Sequence, residues 1–211
     1  HLLSYAILIA LAIAFLAPML MLVMTALKSS AEFNRDAIAL PTSFRFENFL
    51  EAWEKASFPR YLLNTFIYTA ASAVIFIVTG VFLSVAIARR FVRGGGWVFT
   101  LFLIALFLPP ALIPQFQLIL RLGLYNNPIG YVLLFVVNPI GIVILVNYIR
   151  TIPIELDEAA AMEGCGYIRY VIQIVMPLIK PAIATVVVLH AIGVWNELVL
   201  ATIYLTKDDF F

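Results

Sequence analysis

The sequence predicts an all-α protein, a polytopic transmembrane helical bundle. Hydrophobic residues make up 64% of the 211-residue chain and charged residues only 12%, which is about half the charged fraction of a typical soluble domain. The apolar runs are roughly 20 residues long, the length that an α-helix needs to cross a bilayer. They lack the strict alternation of apolar and polar residues that marks the strands of a membrane barrel. Because a chain in lipid must satisfy its own backbone hydrogen bonds, helices are the favoured way to span.

The composition also narrows the classes of function. Cys165 is the only cysteine, which excludes an intrachain disulfide, and a net charge of +1 without a basic patch gives no sign of nucleic-acid binding. Gly94-Gly95-Gly96 is followed by Trp97 instead of the Lys-Ser or Lys-Thr pair of a phosphate-binding loop, so the chain is not predicted to hydrolyse ATP. The sequence suggests no catalytic residues, no metal site and no cofactor. A transport subunit is therefore favoured over an enzyme.

Five apolar segments are each long enough to cross the bilayer as a helix. They are residues 2–27, 64–88, 97–120, 129–148 and 181–204. Since proline cannot donate a helical hydrogen bond, Pro18 should kink the first segment and Asn138-Pro139 the fourth. For the same reason, Pro109-Pro110 and Pro114 should break the third segment near its middle.

The segments between the spans differ in charge. In the first loop, residues 46–53 have apolar residues at helical spacing and are predicted to form a short amphipathic helix on the bilayer surface. Arg89, Arg90 and Arg93 form a short, purely basic turn, which the positive-inside rule favours for the cytoplasm. Residues 149–180 follow two spans later, so this loop should lie on the same side of the membrane.

The polar loop of residues 149–180 has a readable local structure. Pro153 suits the first position of a helix, and three carboxylates follow it, where they meet the positive end of the helix dipole. These acids are Glu155, Asp157 and Glu158. A second set of residues recurs at positions i, i+3, i+4 and i+7, which predicts one small, smooth helix face that another backbone can approach closely. That set is Leu156, Ala159, Ala160 and Glu163.

Two glycines are predicted to end this helix. Gly164 and Gly166 follow it directly, and glycine readily adopts the left-handed conformation that terminates helices. A second helical run over residues 167–176 should end at Pro177. Together the two runs predict a helix–turn–helix knob on the membrane surface.

This knob resembles the EAA loop of the permease subunits of ABC importers. The residues that match the family pattern are Glu158, Ala159, Ala160, Glu163, Gly164, Ile174 and Pro177. Glu163 stands where the family usually has Asp, and Cys165-Gly166 replaces a more usual pair of alanine and a polar residue. The resemblance implies that the knob is a coupling helix that docks on a separate ATPase subunit. The alternative is a surface helix that only links two spans.

Further stretches extend the resemblance over essentially the whole chain. They are residues 58–65, residues 121–127 and Trp195-Asn196-Glu197. The chain resembles the inner-membrane permease subunits of the carbohydrate-uptake group, especially the smaller, six-span subunit of maltose transporters. The resemblance implies that residues 1–211 form a single transmembrane permease domain that includes the coupling loop, with a sixth span beyond the C-terminal residue.

The same resemblance implies a set of partners. They are a second homologous permease subunit, two ATP-binding ATPase subunits, an extracytoplasmic solute-binding protein and the lipid bilayer, without nucleic acid. The location would be the bacterial or archaeal cell (inner) membrane, and the solute a sugar or an oligosaccharide. ATP-driven closure of the ATPases would push the knobs, and the spans would alternate between outward and inward access.

The fifth span carries polar residues that are costly in lipid. His190 and Glu197 are seven residues apart and should therefore share one helix face. A carboxylate at the bilayer centre costs at least ~2.5 kcal/mol, so both side chains should face protein or water. With Trp195 and Asn196 they are the candidates for a translocation path. Alternatively, Glu197 lies near the outer interface and His190 bonds a neighbouring carbonyl, or the two form a proton relay.

The favoured function is thus an ATP-driven ABC importer permease for a sugar or an oligosaccharide. A rival is a secondary transporter driven by protons through His190 and Glu197. An importer of another small solute and a purely structural membrane subunit are further alternatives.

Overall fold

The computed structural model describes residues 2–206, and the regular elements in that range are all helices. The predicted all-α fold class is confirmed. The chain divides into two compact units, one ending at Tyr61 and the other starting at Leu62.

The first unit begins with a long apolar helix. α1 spans Leu2–Ala26 with Pro18 inside it, close to the predicted segment. Its large apolar side chains from Leu3 to Val23 are exposed on this chain, as suits a helix surrounded by lipid. α2, Ser30–Arg35, is a short helix that the sequence did not predict.

The predicted amphipathic helix is present as α3, Glu47–Lys55. Phe49, Leu50 and Trp53 are exposed along one side of it. The Trp53 ring lies 5.0 Å from the ring of Phe58. The exposed apolar stripe supports the predicted position of this helix on a bilayer surface.

Lys28 is a buried cation at the start of the loop. Its Nζ donates hydrogen bonds to the carbonyl oxygens of Asp36 at 3.0 Å and Ala37 at 2.9 Å. Asn48 Nδ2 in turn donates to the Lys28 carbonyl oxygen at 2.8 Å. These bonds give the loop a defined conformation, because they join residues that are far apart in sequence.

Glu32 makes a second long-range contact in this loop. Its carboxylate accepts a hydrogen bond from Thr42 Oγ1 at 2.6 Å and another from the Thr42 amide. The side-chain bond from Thr42 and then its backbone bond are the main reasons that the pKa of Glu32 is lowered. The hydrogen bonds of the folded loop therefore stabilise the ionised form of Glu32.

α4 spans Phe58–Ala88 and begins earlier than predicted, at Phe58 instead of residue 64. The elements after it are α5 (Gly95–Ala105), α6 (Leu112–Arg121), α7 (Pro128–Leu133), α8 (Pro139–Arg150), α9 (Glu155–Met162), α10 (Tyr167–Tyr170), a π-helical turn (Val171–Val175), α11 (Met176–Leu178), α12 (Lys180–Trp195) and α13 (Leu198–Tyr204).

The predicted breaks at Pro109-Pro110 and Asn138-Pro139 are confirmed, whereas the predicted break at Pro114 is wrong. The third predicted span consists of α5 and α6, which are separated at Pro109-Pro110. Pro114 lies in the first turn of α6, where a missing N–H is tolerated. The fourth span consists of α7 and α8, with Asn138 as the N-cap of α8 and Pro139 as its first residue.

Hydropathy and length identify two helices that can cross a membrane on their own, Leu3–Ala26 and Phe58–Ala88. Two bent pairs raise the number to four if each pair is one span. One pair joins α8 and α9 at 80°, and the other joins Tyr167–Leu178 to α12 at 84°. These corners agree with the predicted change from span to loop after α8 and from loop to span near Pro181.

Two clusters of buried side chains hold the second unit together. The larger one joins α4, α8, the π-helical turn and α12. Its fully buried members include Val81, Val85, Leu145, Val146, Ile149, Val171, Ile179 and Val186. The smaller cluster joins α4, α6, α7 and α13 through Tyr68, Ile119, Tyr131, Val132 and Tyr204. The loop elements after α9 are thus packed against the spans.

Candidate functional site

α9 is the helix that carries the EAA-like residues. Its first turn contains Glu155, Asp157 and Glu158, as predicted. The helix ends near Glu163, whose N–H donates to the Ala159 carbonyl oxygen at 3.2 Å. Acids near the N-terminus of a helix are stabilised by its dipole, so the sequence itself accounts for where this helix begins.

Pro153 does not occupy the first helical position, and that prediction is wrong. The N-cap of α9 is Ile154, whose carbonyl oxygen accepts from Asp157 N at 2.9 Å. After α8, a hydrogen-bonded turn extends to Ile152, whose N–H donates to the Ile149 carbonyl oxygen at 3.1 Å. Pro153 is therefore the connector at the corner between α8 and α9.

The turn after α9 depends on one of the two predicted glycines. Gly164 has a φ of +68°, in the left-handed region, and a Cβ atom there would meet no atom within 4 Å. Gly166 instead has a φ of −69° and is the N-cap of α10. The prediction that both glycines stop the helix thus holds only for Gly164. Gly166 starts the next helix, since its carbonyl oxygen accepts from Tyr170 N at 2.9 Å.

The predicted small face of α9 is divided by the packing. Ala160 is only 6% exposed and belongs to the larger core cluster, whereas Ala159 is exposed. Leu156 and Glu163 are exposed as well, and Met162, which lies outside the predicted set, is 86% exposed. The prediction that Ala160 shares the exposed face is wrong, because helix phase turns it towards the spans.

A buried ion pair holds the inner side of α9. Arg89 Nε lies 2.9 Å from Asp157 Oδ2, and the two side chains are only 7% and 14% exposed. The pair lacks the alignment of a directed hydrogen bond at Nε, but a second guanidinium nitrogen donates to the Ile152 carbonyl oxygen at 3.1 Å. The sequence had assigned Arg89 only to a basic turn, and its partner could not be identified from spacing alone.

Two tyrosines of α10 add to this attachment. The Tyr170 hydroxyl donates a hydrogen bond to Asp157 Oδ1. The Tyr167 hydroxyl donates to the carbonyl oxygen of Phe82 in α4 at 2.5 Å. Side-chain contacts therefore join both α9 and α10 to the C-terminal part of α4 and to Arg89, which follows it.

The second helical run differs from its prediction in two respects. It contains the π-helical turn, and it ends after Leu178 instead of at Pro177. Pro177 lies inside the run, two residues after the π-helical turn, and the chain bends only at Ile179. Ile174 is partly buried against the larger core cluster.

A polar network lies inside the membrane part of the second unit. His190 in α12 is 3% exposed, and its Nδ1 is 3.2 Å from Asn138 Nδ2. Its Nε2 is 3.2 Å from Ser72 Oγ, and its ring stacks on Phe76 with centroids 5.1 Å apart. The network joins α4, α8 and α12.

The hydrogen bonds of Asn138 define the proton positions in this network. Asn138 Oδ1 accepts from Gly141 N at 3.0 Å, as the cap of α8, so the amide NH₂ must face His190. Nδ1 of His190 then accepts and its Nε2–H donates to Ser72 Oγ. The Ser72 hydroxyl donates to the Thr69 carbonyl oxygen at 3.0 Å. Both ring nitrogens of a neutral His190 are thus satisfied.

Glu197 does not share a helix face with His190, and that prediction is wrong. α12 ends at Trp195, and Glu197 is the N-cap of α13, its carboxylate accepting from Leu200 N at 2.9 Å. The capping carboxylate satisfies the start of a new helix, which interrupts the predicted fifth span. Asn196 Nδ2 donates to the Ile192 carbonyl oxygen at 2.8 Å.

His190 and Glu197 nevertheless line one cavity of about 270 Å³. Its other lining residues are Leu134, Phe135, Val137, Asn138, Pro139, Leu189, Gly193 and Val194. The cavity lies where α8 begins and α12 ends. Trp195 and Asn196 are exposed beside it and are not among its lining residues. In residues 2–206, no group of three or more His, Cys, Asp or Glu side chains is placed to hold a metal ion.

These features define a class of protein: a multi-span helical membrane protein with a surface helix fastened to its spans and a polar cavity between them. The chain belongs to the family described as the inner membrane component of binding-protein-dependent transport systems, whose sequence model matches residues 60–210. It is therefore a permease subunit of an ABC transport system and not an enzyme, as the sequence predicted. The family description supports the inner membrane of bacteria, and the archaeal alternative has no support from the relatives.

Characterised relatives and one solved structure agree with this family. The diacetylchitobiose uptake system permease NgcG of Streptomyces coelicolor is 29% identical over 210 residues, which are 98% of this chain and 70% of the relative. The melibiose/raffinose/stachyose import permease MelC of Bacillus subtilis is 31% identical over 89% of this chain and 70% of its own. A crystal structure of a bacterial ABC transporter that imports the acidic polysaccharide alginate matches with a TM-score of 0.90 at 25% identity, covering 99% of this chain and 75% of that one.

Proposed function

We propose that this chain is one half of the translocation path of an ATP-driven importer for an oligosaccharide or another sugar. The relatives import di-, tri- and larger saccharides by name, which supports this solute class. Residues 1–211 then act as one transmembrane permease domain with the coupling loop at residues 149–180. The single observation that carries the mechanism is α9, a short acidic helix with an exposed outer face and an inner face ion-paired to the end of α4.

The outer face of α9 and the turn after it are proposed to bind an ATPase subunit. Glu158, Ala159, Glu163 and Gly164 are exposed there. Ala160 lies in the larger core cluster and Ile174 packs against it, and Pro177 belongs to the helical run that follows the turn. An exposed acid can pair with a cation of the partner, and the small Ala159 allows close approach. Two ATPase subunits, a second permease and an extracytoplasmic solute-binding protein complete the proposed complex.

The translocation path is proposed to include His190 and Glu197, with Trp195 and Asn196 at its rim. His190, Asn138 and the capping carboxylate of Glu197 place polar groups among the apolar residues that line the cavity. Hydroxyl groups of a sugar suit such a lining, and an exposed tryptophan offers a flat apolar surface for a sugar ring.

The rival proposal is proton-driven transport through His190 and Glu197. The hydrogen bonds argue against it, because His190 is bonded to Asn138 and Ser72 while Glu197 caps α13. A relay would need both groups to leave these partners.

Uptake by the complete complex in proteoliposomes separates the two. We expect transport to require ATP inside the vesicles and to continue when an uncoupler collapses the proton gradient. Transport that stops with the uncoupler while ATP remains present would overturn the ATP-driven mechanism in favour of the proton-driven one.

A further inference from the structure

Three elements meet at the carboxylate of Asp157. Arg89 follows the last residue of α4, Asp157 lies in the first turn of α9, and Tyr170 ends α10. Arg89 contributes its charge at 2.9 Å, and Tyr170 donates its hydroxyl to the other carboxylate oxygen. Each oxygen of Asp157 therefore has a different partner from a different helix.

Burial strengthens the attraction between Arg89 and Asp157. Both charged side chains are largely excluded from water, so their attraction is less screened than that of a surface pair. Arg89 is further held by the Ile152 carbonyl oxygen, from a residue 63 positions away in sequence. Separating the pair would leave two largely buried charges without an opposite charge beside them, which resists independent movement of α9.

The backbone connection between α4 and α9 is much less direct than this side-chain contact. Along the chain the two are connected only through α5 to α8, and α9 is flanked by the corner at Pro153 and the left-handed turn at Gly164. Such corners can absorb a rotation. The ion pair is therefore a direct charged connection from α9 to the end of α4, beside the apolar packing of Ala160 in the larger core cluster.

α4 also reaches the membrane cavity. Ser72 lies on α4 and binds His190, which lines the cavity. Ser72 precedes Arg89 by 17 positions, which is about 26 Å along a helix at 1.5 Å per residue. The helix between them is uninterrupted and contains buried core residues, so it can move as a rigid body.

We propose that the Arg89–Asp157 pair transmits movement of α9 to α4 and thereby to the cavity, with Tyr170 as a positioning residue that orients the Asp157 carboxylate. The proposal rests on the proposed function, because it assumes that an ATPase displaces α9. None of the three residues contacts solute or nucleotide in this role. They determine how much of the ATPase movement becomes transport.

The test measures solute transported per ATP hydrolysed by the reconstituted complex. Asp157→Asn keeps an acceptor for Tyr170 and removes the charge that attracts Arg89. We expect the variant to retain its ATPase and to hydrolyse ATP, while the transport ratio falls roughly fivefold or more, the size of an ordinary coupling between sites. Glu54→Gln, which neutralises an exposed acid of α3 in the first unit, is the matched control and should keep the ratio.

Tyr170→Phe is a milder variant that tests the positioning role without changing charge. It should lower the same ratio by less, with the complex intact. An unchanged ratio in Asp157→Asn would overturn the proposal, and so would loss of assembly in both variants, since the contact would then only maintain the fold. If Asp157→Asn alone fails to assemble, the ratio of Tyr170→Phe decides. A wild-type chain that does not retain an ATPase at all would instead overturn the proposed function.

Discussion

Gly141 in α8 lies directly against the ring of Phe76 in α4. A Cβ atom on Gly141 would be 2.5 Å from Phe76 Cζ and 2.9 Å from Val186 Cγ1. Phe76 is only 1% exposed and stacks on His190, so it cannot turn away freely. The close approach of the two helices thus sets the position of the polar network beside the cavity.

Gly141→Ala should therefore destabilise the protein. Overpacking of a well-filled core costs about 1–3 kcal/mol, and the shift of Phe76 should also weaken the contacts of His190. Thermal unfolding of the purified protein in detergent measures the effect. Gly96→Ala is the control, since a Cβ atom there meets nothing within 4 Å. Equal unfolding temperatures for the two variants would contradict the packing argument.

Gly164→Val should disrupt the turn after α9 and, with it, ATPase binding. A left-handed backbone costs ~1–2 kcal/mol without glycine, and the φ of +68° imposes that strain although no atom obstructs the side chain. Gly166→Ala adds a Cβ atom at a φ of −69° and should be tolerated. Co-purification of the ATPase and transport rates are the measurements. Full association of the ATPase with the Val variant would refute the role of this turn.

Glu158→Lys tests the exposed charge of the same loop. Glu158 lies in the first turn of an exposed helix, so reversing its charge should cost the isolated fold only about 0.3–1 kcal/mol through the helix dipole. We expect normal membrane insertion with reduced ATPase binding and loss of transport. Normal transport in this variant would exclude Glu158 from the docking surface.

Glu197→Gln should leave the fold intact, because a Gln oxygen can still accept from Leu200 N as the capping carboxylate does. Glu197→Leu removes the cap and should destabilise the protein by about 0.5–2 kcal/mol. If the residue lines the solute path, Gln should lower or alter transport of solute by the complete complex. A wild-type rate with Gln would eliminate the proton relay, since Gln cannot release a proton, and a wild-type rate with Leu would place the residue outside the path.

The contact between Glu32 and Thr42 makes the first loop sensitive to acid. The hydrogen bonds from Thr42 lower the pKa of Glu32 below its usual 4.5, so folding favours the ionised form. The stabilisation is complete above that usual value and is lost as the pH falls through the lowered pKa. We expect faster hydrogen exchange at the Thr42 amide under acid conditions than near neutral pH, after correction for intrinsic rates. Thr42→Val should reduce this dependence, and an unchanged profile would contradict it.

The sequence identified those features that arise from local physics. Proline removes a helical hydrogen bond, so the breaks at Pro109-Pro110 and Asn138-Pro139 were predictable, although α1 continues through Pro18. The break after Trp195 was missed because Asn196-Glu197 contains neither proline nor glycine. At this break the Glu197 carboxylate accepts from Leu200 N and caps α13, a local arrangement that competes with a continuous helix.

Contacts between distant residues could not be predicted from the sequence, for a different reason. The partner of Arg89 depends on how α4 and α9 pack, and several acids of α9 offered the same charge. The burial of Ala160 likewise depends on the phase of α9 relative to the core. The loop was recognised from its residues, while the side that faces the spans had to come from the structure.

The π-helical turn of Val171–Val175 changes the relation between sequence spacing and angular position in this part of the chain. An α-helix rotates by about 100° for each residue, and a π-helical turn accommodates one additional residue within a turn. The angular position of α10 relative to the helices after the turn therefore depends on whether the additional residue is absorbed there. A relative with one residue fewer between Gly164 and Pro177 can present the same face of α10 by means of a regular helix. Equal spacing in an alignment does not guarantee equal orientation of the loop, and a one-residue gap at this turn can preserve it.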